Sequence, residues 1–315
     1  MKTKIIFAPM EGVTGYIYRN AHKKFFGGIN RYCSPFIPAR AEGALPPKYT
    51  KDILPENNQD LEMLPQLLTK DPSQFIHSAK LIHEKYGYSQ VDLNLGCPSS
   101  TVVSRGRGAG MLDDIDALDR FFDEVFKADG LPLISIKTRI GISFVSEAED
   151  LLKVYNRYPL AEVAIHPRLK DEGYMGNVHL DVFDMFYNDC KHPLIYNGDI
   201  RTVSDFENIS KKYPDLKGIM IGRGLLADPA LAEKICGIND PTDELQKLET
   251  FLSYVYDSYF EVFKSEKNSL FKMKELWANL STRFADDKYK KSLSQIKKSK
   301  NIAEYRAACT MFFNI

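Results

Sequence analysis

The chain has 315 residues, 44% of them hydrophobic, and Lys+Arg 42 balance Asp+Glu 42 to a formal net charge of +0. That length and composition bury a sizeable core, as one large barrel or two ordinary domains, which excludes a disulfide-stapled miniprotein and a disordered tail. Neutrality excludes a global basic field, so any contact with a polyanion is local. Five scattered cysteines (Cys33, Cys97, Cys190, Cys236, Cys309) form no CxxC pair and no Cys/His cluster at zinc spacing, the usage of reduced thiols without a metal. The opening MKTKIIFAPMEG lacks a signal h-region and no segment approaches a membrane span, so a cytoplasmic protein is expected.

Short apolar runs recur in chain order at Ile5 to Met10, Ile29 to Ile37, Met63 to Leu68, Gln90 to Leu95, Leu133 to Ile140, Glu162 to His166, Leu194 to Asn197 and Gly218 to Ile221. Each reads as a strand. Between them lie helix-period segments, among them Pro72 to Tyr86, Asp114 to Lys127, Glu147 to Tyr158 and Ser204 to Lys212. Strands alternating with helices imply βαβ crossovers and a parallel sheet. Eight such units match a (β/α)8 TIM barrel. The alternative, a doubly wound open sheet, would carry a GxGxxG turn after an early strand, and none follows the first strand. The stretch from Ile29 to Met63 is proline-rich and aperiodic, suggesting a loop insertion or a short hairpin.

Beyond Pro241 the pattern becomes helical without strands, so the expected division is a barrel over 1–240 and an all-helical C-terminal domain over 241–315. Lys264 to Lys300 holds eleven basic residues against four acidic, the one strongly basic block, beside Phe271, Trp277, Phe284 and Tyr289. Such charge supplies phosphate affinity and such aromatics can stack on splayed bases. The alternative is a solvated helix face whose aromatics belong to the core.

In a barrel enzyme, chemistry sits at the C-terminal ends of the strands. Those ends read APMEGVTG, PQLL, NLGCP, KTR, HPR, NGD and IGRG. Gly198, Gly222 and Gly224 permit close backbone approach to a ligand, and Arg223 adds a bidentate phosphate contact; glycines that merely close tight turns are the alternative. Lys137 ends a strand inside an apolar run, where an ammonium is costly unless it meets an anion or an electron-rich group. Gln66 and Asn94 suit the edge of a heterocycle, or equally the backbone of a loop. His166 suits phosphate or substrate, or a structural hydrogen bond.

Cys97 lies in NLGCPSSTVVSRGRGAGML, a glycine-rich segment with the composition of a mobile lid that also carries Arg105 and Arg107. With an ordinary pKa near ~8.5, a free thiol is mostly protonated at neutral pH and can act as a general acid. With a base or with arginine neighbours it can instead be a nucleophile. The residues alone leave both open.

Taken in order, APMEGVTGYIYR, QVDLNLGCPSSTVVSRGRGAGML, ISIKTRIG, HPRLKDEGYMG, IYNGDIRT and IMIGRG resemble the dihydrouridine synthases, and SLFKMKELWANL resembles the helix that opens that family's RNA-binding domain. The resemblance implies an FMN-dependent enzyme that reduces uridines of structured RNA, chiefly tRNA, with NADPH as electron source. It places Pro9 and Met10 beside the flavin ring, and Gln66 and Lys137 at its polar edge. His166, Asn197, Asp199, Gly222 and Arg223 go to the ribityl phosphate, Ala8, Asn94 and Gly198 complete the expected cofactor contacts, and Cys97 becomes the proton donor. Arg105, Arg107, Lys272, Lys274, Lys288, Lys290 and Lys291 are the expected RNA contacts, and a monomer without metal is expected. Two departures, Thr14–Gly15 where many members place an aspartate and Pro167 in HPR where HGR is commoner, bear on substrate and leave ribosomal RNA open. Other readings are a flavin barrel acting on a small pyrimidine or enone and a catalytically silent RNA-binding module.

Overall fold

The structure is a computed structural model that describes residues 3–238 and 240–315. Ten strand segments build one sheet: β1 (Lys4–Phe7), β2 (Arg31–Cys33), β3 (Ile37–Pro38), β4 (Met63–Leu64), β5 (Gln66–Leu68), β6 (Gln90–Leu95), β7 (Leu133–Arg139), β8 (Val163–His166), β9 (Leu194–Tyr196) and β10 (Gly218–Ile221). Their order is β3-β5-β6-β7-β8-β9-β10-β1-β2-β4, and every ladder is parallel.

The two ends of that order meet. β2 pairs with β4 while β3, three residues further along the same strand, pairs with β5, which follows β4 after Pro65 alone. Ten segments are thus eight strands, two of them interrupted, closed into a barrel. The interruptions fall at Pro35 and Pro65, which have no N–H to give a ladder. Ser34 spans the gap: its N–H donates to the Leu64 carbonyl (3.0 Å) and its hydroxyl accepts from the Gln66 N–H (3.0 Å). Closure rules out the open sheet, and the proline-rich segment holds the short helices Pro47–Thr50 and Pro55–Asn57 and no hairpin.

Local sequence signals fix the crossover helices. Pro72–Tyr86 starts at Asp71, whose side chain accepts from the Gln74 N–H, has Pro72 at its first position and stops at Gly87 (φ 76°). Asp114 caps Ile115–Phe126 in the same way, through the Ala117 N–H. The helices Glu147–Tyr155 and Val203–Lys212 also occupy expected places.

Two compact units divide the chain. The first runs through Pro9 and continues over Asn30–Asp199 and Glu207–Ile221, so it contains every strand. The second takes Met10–Ile29, Ile200–Phe206 and Gly222–Ile315, and among its described residues it is helical. There Tyr16–Phe25 packs on Glu244–Phe263 with Tyr18 edge-on to Phe251 (5.7 Å). Glu266–Leu280, Asp287–Lys298 and Ile302–Phe313 follow, each opened by a side-chain cap from Ser265, Asp286 or Asn301.

Candidate active site

The inside of the barrel is chemically divided. Ile6, Ala8, Cys33, Leu64, Ala164, Ile195 and Met220 form an apolar cluster contributed by β1 or its end, β2, β4, β8, β9 and β10. β5, β6 and β7 contribute instead Gln66, Asp92, Asn94, Ser135 and Lys137, with Asp92 and Asn94 two residues apart on β6 and Ser135 and Lys137 their register partners on β7. The period of two puts these alternate residues on one face.

The polar residues are joined. Ser135 Oγ donates to Asp92 Oδ1 (2.8 Å), Gln66 Nε2 donates to Asp92 Oδ2 (2.8 Å), and Asn94 Nδ2 donates to Gln66 Oε1 (2.8 Å). Asn94 Oδ1 in turn accepts from the backbone N–H of Gly96 (3.1 Å) and of Cys97 (2.9 Å). Burial pushes the Asp92 carboxyl up to about 6, against the lowering effect of hydrogen bonds from Gln66 and Ser135 and of the Lys137 charge.

Lys137 stands apart. Among the described residues its ammonium makes no hydrogen bond, and burial lowers its pKa to about 8, with the Arg139 charge acting the same way and Asp92, Cys33 and Cys97 opposing. An ammonium in that position is unsatisfied, and a ligand offering an electron-rich edge would supply its partner.

The segment carrying Cys97 is shaped by backbone constraints. Ala109 N–H donates to the Cys97 carbonyl (3.1 Å), and Gly108 turns at φ +58° where a Cβ would come within 3.1 Å of Cys97 Cβ. Arg139, buried at 1% exposure, donates from Nε to the Gly96 carbonyl and from Nη1 to the Leu169 carbonyl (2.9 Å each). Cys97 keeps partial exposure. Arg105 is exposed and Arg107 partly so, on either side of Gly106 (φ +65°).

At the end of β8, Arg168 is 1% exposed and gathers its surroundings. It forms a two-pronged ion pair with Asp199 and donates to the carbonyls of Gly176 (2.7 Å) and Met175 (3.2 Å). Its Nη1 lies 3.1 Å from His166 Nε2. Arginine only donates, so His166 Nε2 accepts and its proton resides on Nδ1. Asp199 is therefore committed to Arg168; a carboxylate repels phosphate, and its contribution at an anion site passes through that arginine. Asn197 Nδ2 donates to the Met220 carbonyl (2.7 Å) and ties β9 to β10. Glycine at 198 answers packing: a Cβ there would collide with the ring of Tyr196. Pro9 ends the first segment of the first unit and is partly exposed, and Ala8 N–H donates to the Ile221 carbonyl (2.9 Å).

In the second unit, Met10 opens a turn closed by Thr14, whose hydroxyl accepts from the Met10 N–H (2.8 Å). Gly222 and Arg223 begin the short helix Arg223–Ala227. Of the aromatics beside the lysines, Trp277 and Phe284 are buried, Tyr289 packs on Phe284 (5.1 Å) and Phe271 alone is well exposed, at 59%. The core reading thus holds for three of the four. Lys272 Nζ is engaged by the Gly12 carbonyl (2.6 Å) and Glu275 (2.7 Å), and Lys274 Nζ by the Ser299 carbonyl. Lys288, Lys290 and Lys291 are exposed on Asp287–Lys298; Lys290 and Lys291 share with Lys297 and Lys298 the side opposite buried Ser292 and Ile296, while Lys288 stands one turn before Ser292.

Sequence reasoning passed over Asp92, Arg139 and Arg168. Each stood inside a motif already singled out, as the aspartate two before Asn94, the arginine of KTR and the arginine of HPR. The available signal was a full charge inside an otherwise apolar strand for Asp92, and a charge at or just past a strand's end for Arg139 and Arg168.

Comparison with known proteins agrees with this architecture. The sequence pattern of the family "Dihydrouridine synthase (Dus)" matches residues 6–312. The tRNA-dihydrouridine(16) synthase of Cupriavidus necator is 30% identical over 269 residues, covering 81% of this chain and 82% of that protein. A probable tRNA-dihydrouridine synthase of Staphylococcus aureus (strain COL) is 28% identical over 281 residues, 85% and 80% respectively. Among solved structures, the old yellow enzyme from Trypanosoma cruzi shares the fold at TM-score 0.52 and 11% identity, covering 81% of this chain and 93% of that one. With its closed barrel and a matching pattern over nearly its whole length, the chain belongs to the dihydrouridine synthase family of FMN-dependent oxidoreductases.

Proposed function

We propose that the chain reduces the C5=C6 bond of specific uridines in transfer RNA. The observation that carries this reading is the polar wall of β5, β6 and β7, which runs without a break to the backbone of Cys97 and sets the unsatisfied Lys137 ammonium beside it. The residues present fit a flavin: a lysine awaiting an electron-rich edge, two carboxamides on the same wall, and a histidine and a buried arginine together at the end of β8. Gln66, Asn94 and Lys137 would hold its polar edge, with Ala8, Pro9 and Met10 beside the ring. His166, Asn197, Gly198, Asp199 acting through Arg168, and Gly222 and Arg223 would serve its phosphate.

Reduction of uridine places hydride at C6 and a proton at C5, because the C4 carbonyl stabilises charge developing at C5. FMN, recharged by NADPH, supplies the hydride when bound. Cys97 donates the thiol proton to C5, and its partial exposure lets solvent return that proton. Arg105 and Arg107 hold phosphates flanking a base drawn out of its stack. Lys288, Lys290 and Lys291 supply the longer-range phosphate contacts, while Lys272 and Lys274 keep their residual donors for RNA after serving the helical unit. The relative named for position 16 makes that uridine the first to examine.

The test is dihydrouridine content, by mass spectrometry, in separated transfer and ribosomal RNA from cells with and without the gene. Loss from transfer RNA supports the proposal. Loss confined to ribosomal RNA moves the same chemistry to another substrate, and no loss in either overturns it.

A further inference from the structure

We infer that Asp92 is a positioning residue, which fixes the orientation of the Gln66 and Asn94 carboxamides and through them holds the backbone of Cys97. A carboxamide has two ends of opposite hydrogen-bonding character and gains directionality only from neighbours that cannot swap roles. Here both ends of the chain are of that kind. At one end the N–H groups of Gly96 and Cys97 can only donate, so Asn94 must present Oδ1 to them and Nδ2 to Gln66. Gln66 must then accept through Oε1, which leaves Nε2 to donate toward β6. At the other end an ionised Asp92 can only accept, and it does so from Gln66 Nε2 and Ser135 Oγ.

The chain is therefore consistent in one orientation, and reversing any amide opposes two like groups. Asp92 is 5% exposed, Gln66 1% and Asn94 7%, so water does not compete freely for these bonds. With Lys137 and Ser135 on β7, Cys33 on β2 and Glu162 before β8 around it, the carboxyl lies below neutrality and is an acceptor at the pH of RNA chemistry. Asp92 itself need touch neither cofactor nor substrate. This inference rests on the proposed function only for the meaning of holding Cys97; the hydrogen-bond chain stands without it.

The experiment compares Asp92→Ala, Asp92→Asn and Gln66→Met in the full-length protein. It reads the alkylation rate of Cys97 by iodoacetamide, followed at the Cys97 peptide by mass spectrometry in flavin-free protein, and the dissociation constant for FMN. An asparagine, turned by the backbone N–H end of the chain, still offers Gln66 an acceptor through Oδ1 and can donate from Nδ2 to the Ser135 hydroxyl, whereas alanine and Gln66→Met cut the chain. Cys97 alkylation is expected to change about fivefold or more in Asp92→Ala and Gln66→Met, the scale of one lost hydrogen bond, and to stay within about twofold in Asp92→Asn. FMN affinity should fall by a similar factor in Asp92→Ala and recover in Asp92→Asn. Wild-type alkylation in all three variants overturns the inference, as does an equal change in Asp92→Asn and Asp92→Ala. Should Asp92→Ala fail to fold, Gln66→Met against Asp92→Asn decides alone. If the wild type takes up no FMN, the proposed function fails, while the alkylation rates still judge the positioning role.

Discussion

The two halves of the barrel interior do opposite work within one sheet. Around Ile6, Ala8, Cys33, Leu64, Ala164, Ile195 and Met220 the strands meet in apolar contact, and folding gains from every side chain placed there. Across the same interior, Gln66, Asp92, Asn94, Ser135 and Lys137 put two charges and several dipoles where hydrocarbon would be more stable. Hydrogen bonds recover much of that cost for the amides and the carboxylate, but little of it for Lys137. The polar half therefore gives up stability for a site, and the apolar half supplies the margin.

The largest effect that would break this contrast concerns Cys97. Cys97→Ala is expected to lower turnover on RNA by roughly 10²-fold or more, the range of a lost general acid, while FMN binding stays near wild type. Turnover and flavin absorbance measured on the same preparation check it, and full turnover would remove the thiol from the mechanism. Next is Lys137→Met. FMN affinity should drop by about tenfold or more, yet flavin-free protein should melt at a higher temperature, because a costly ammonium is gone.

The pH dependence of that variant sharpens the point. Burial lowers Lys137 to about 8 from its ordinary 10.5, so between those values the unfolded chain binds a proton that the folded chain has released. Stability due to this group thus rises with pH across that window and is lowest below it. The difference in melting temperature between Lys137→Met and wild type should shrink as pH rises through it, and a difference that stays constant would mean the ammonium carries no burial cost.

In the apolar half, Ile195→Ala should cost about 2–5 kcal/mol of stability by leaving a cavity, with turnover per folded molecule unchanged at low temperature. A loss of turnover without a loss of stability would dissolve the distinction between the halves. The smallest effect lies outside the barrel. Charge reversal of Lys288, Lys290 and Lys291 should raise the KM for RNA and flatten its salt dependence by a slope of about 3, with FMN affinity untouched. An unchanged salt slope would return these lysines to the role of a solvated helix face.

The legibility of these regions in the sequence differed for a physical reason. Strand and helix periods are local, so Gln90–Leu95, Gly218–Ile221 and Pro72–Tyr86 stand where the pattern put them, the last helped by Asp71, Pro72 and Gly87. The interruptions at Pro35 and Pro65 were written in the sequence too, but the bridging by Ser34 depends on a neighbouring strand. The aromatics of the basic block show the same limit. Phe271 and Trp277 share one helix; Trp277 lies on the buried stripe with Leu270, Met273 and Leu280, and what covers it, Phe312 and Tyr305, comes from a later helix.

By itself, the sequence determined the alternation of strands and helices, the positions of the motifs at strand ends and the presence of a protonatable thiol in a glycine-rich segment. These depend on residue type and spacing along the chain. Tertiary structure alone decided that Asp92 accepts from Gln66, that Arg168 absorbs the charge of Asp199 and that Lys137 remains unsatisfied. Those outcomes join residues 26 to 45 positions apart through hydrogen bonds and charge, and such partners are chosen only when the sheet closes.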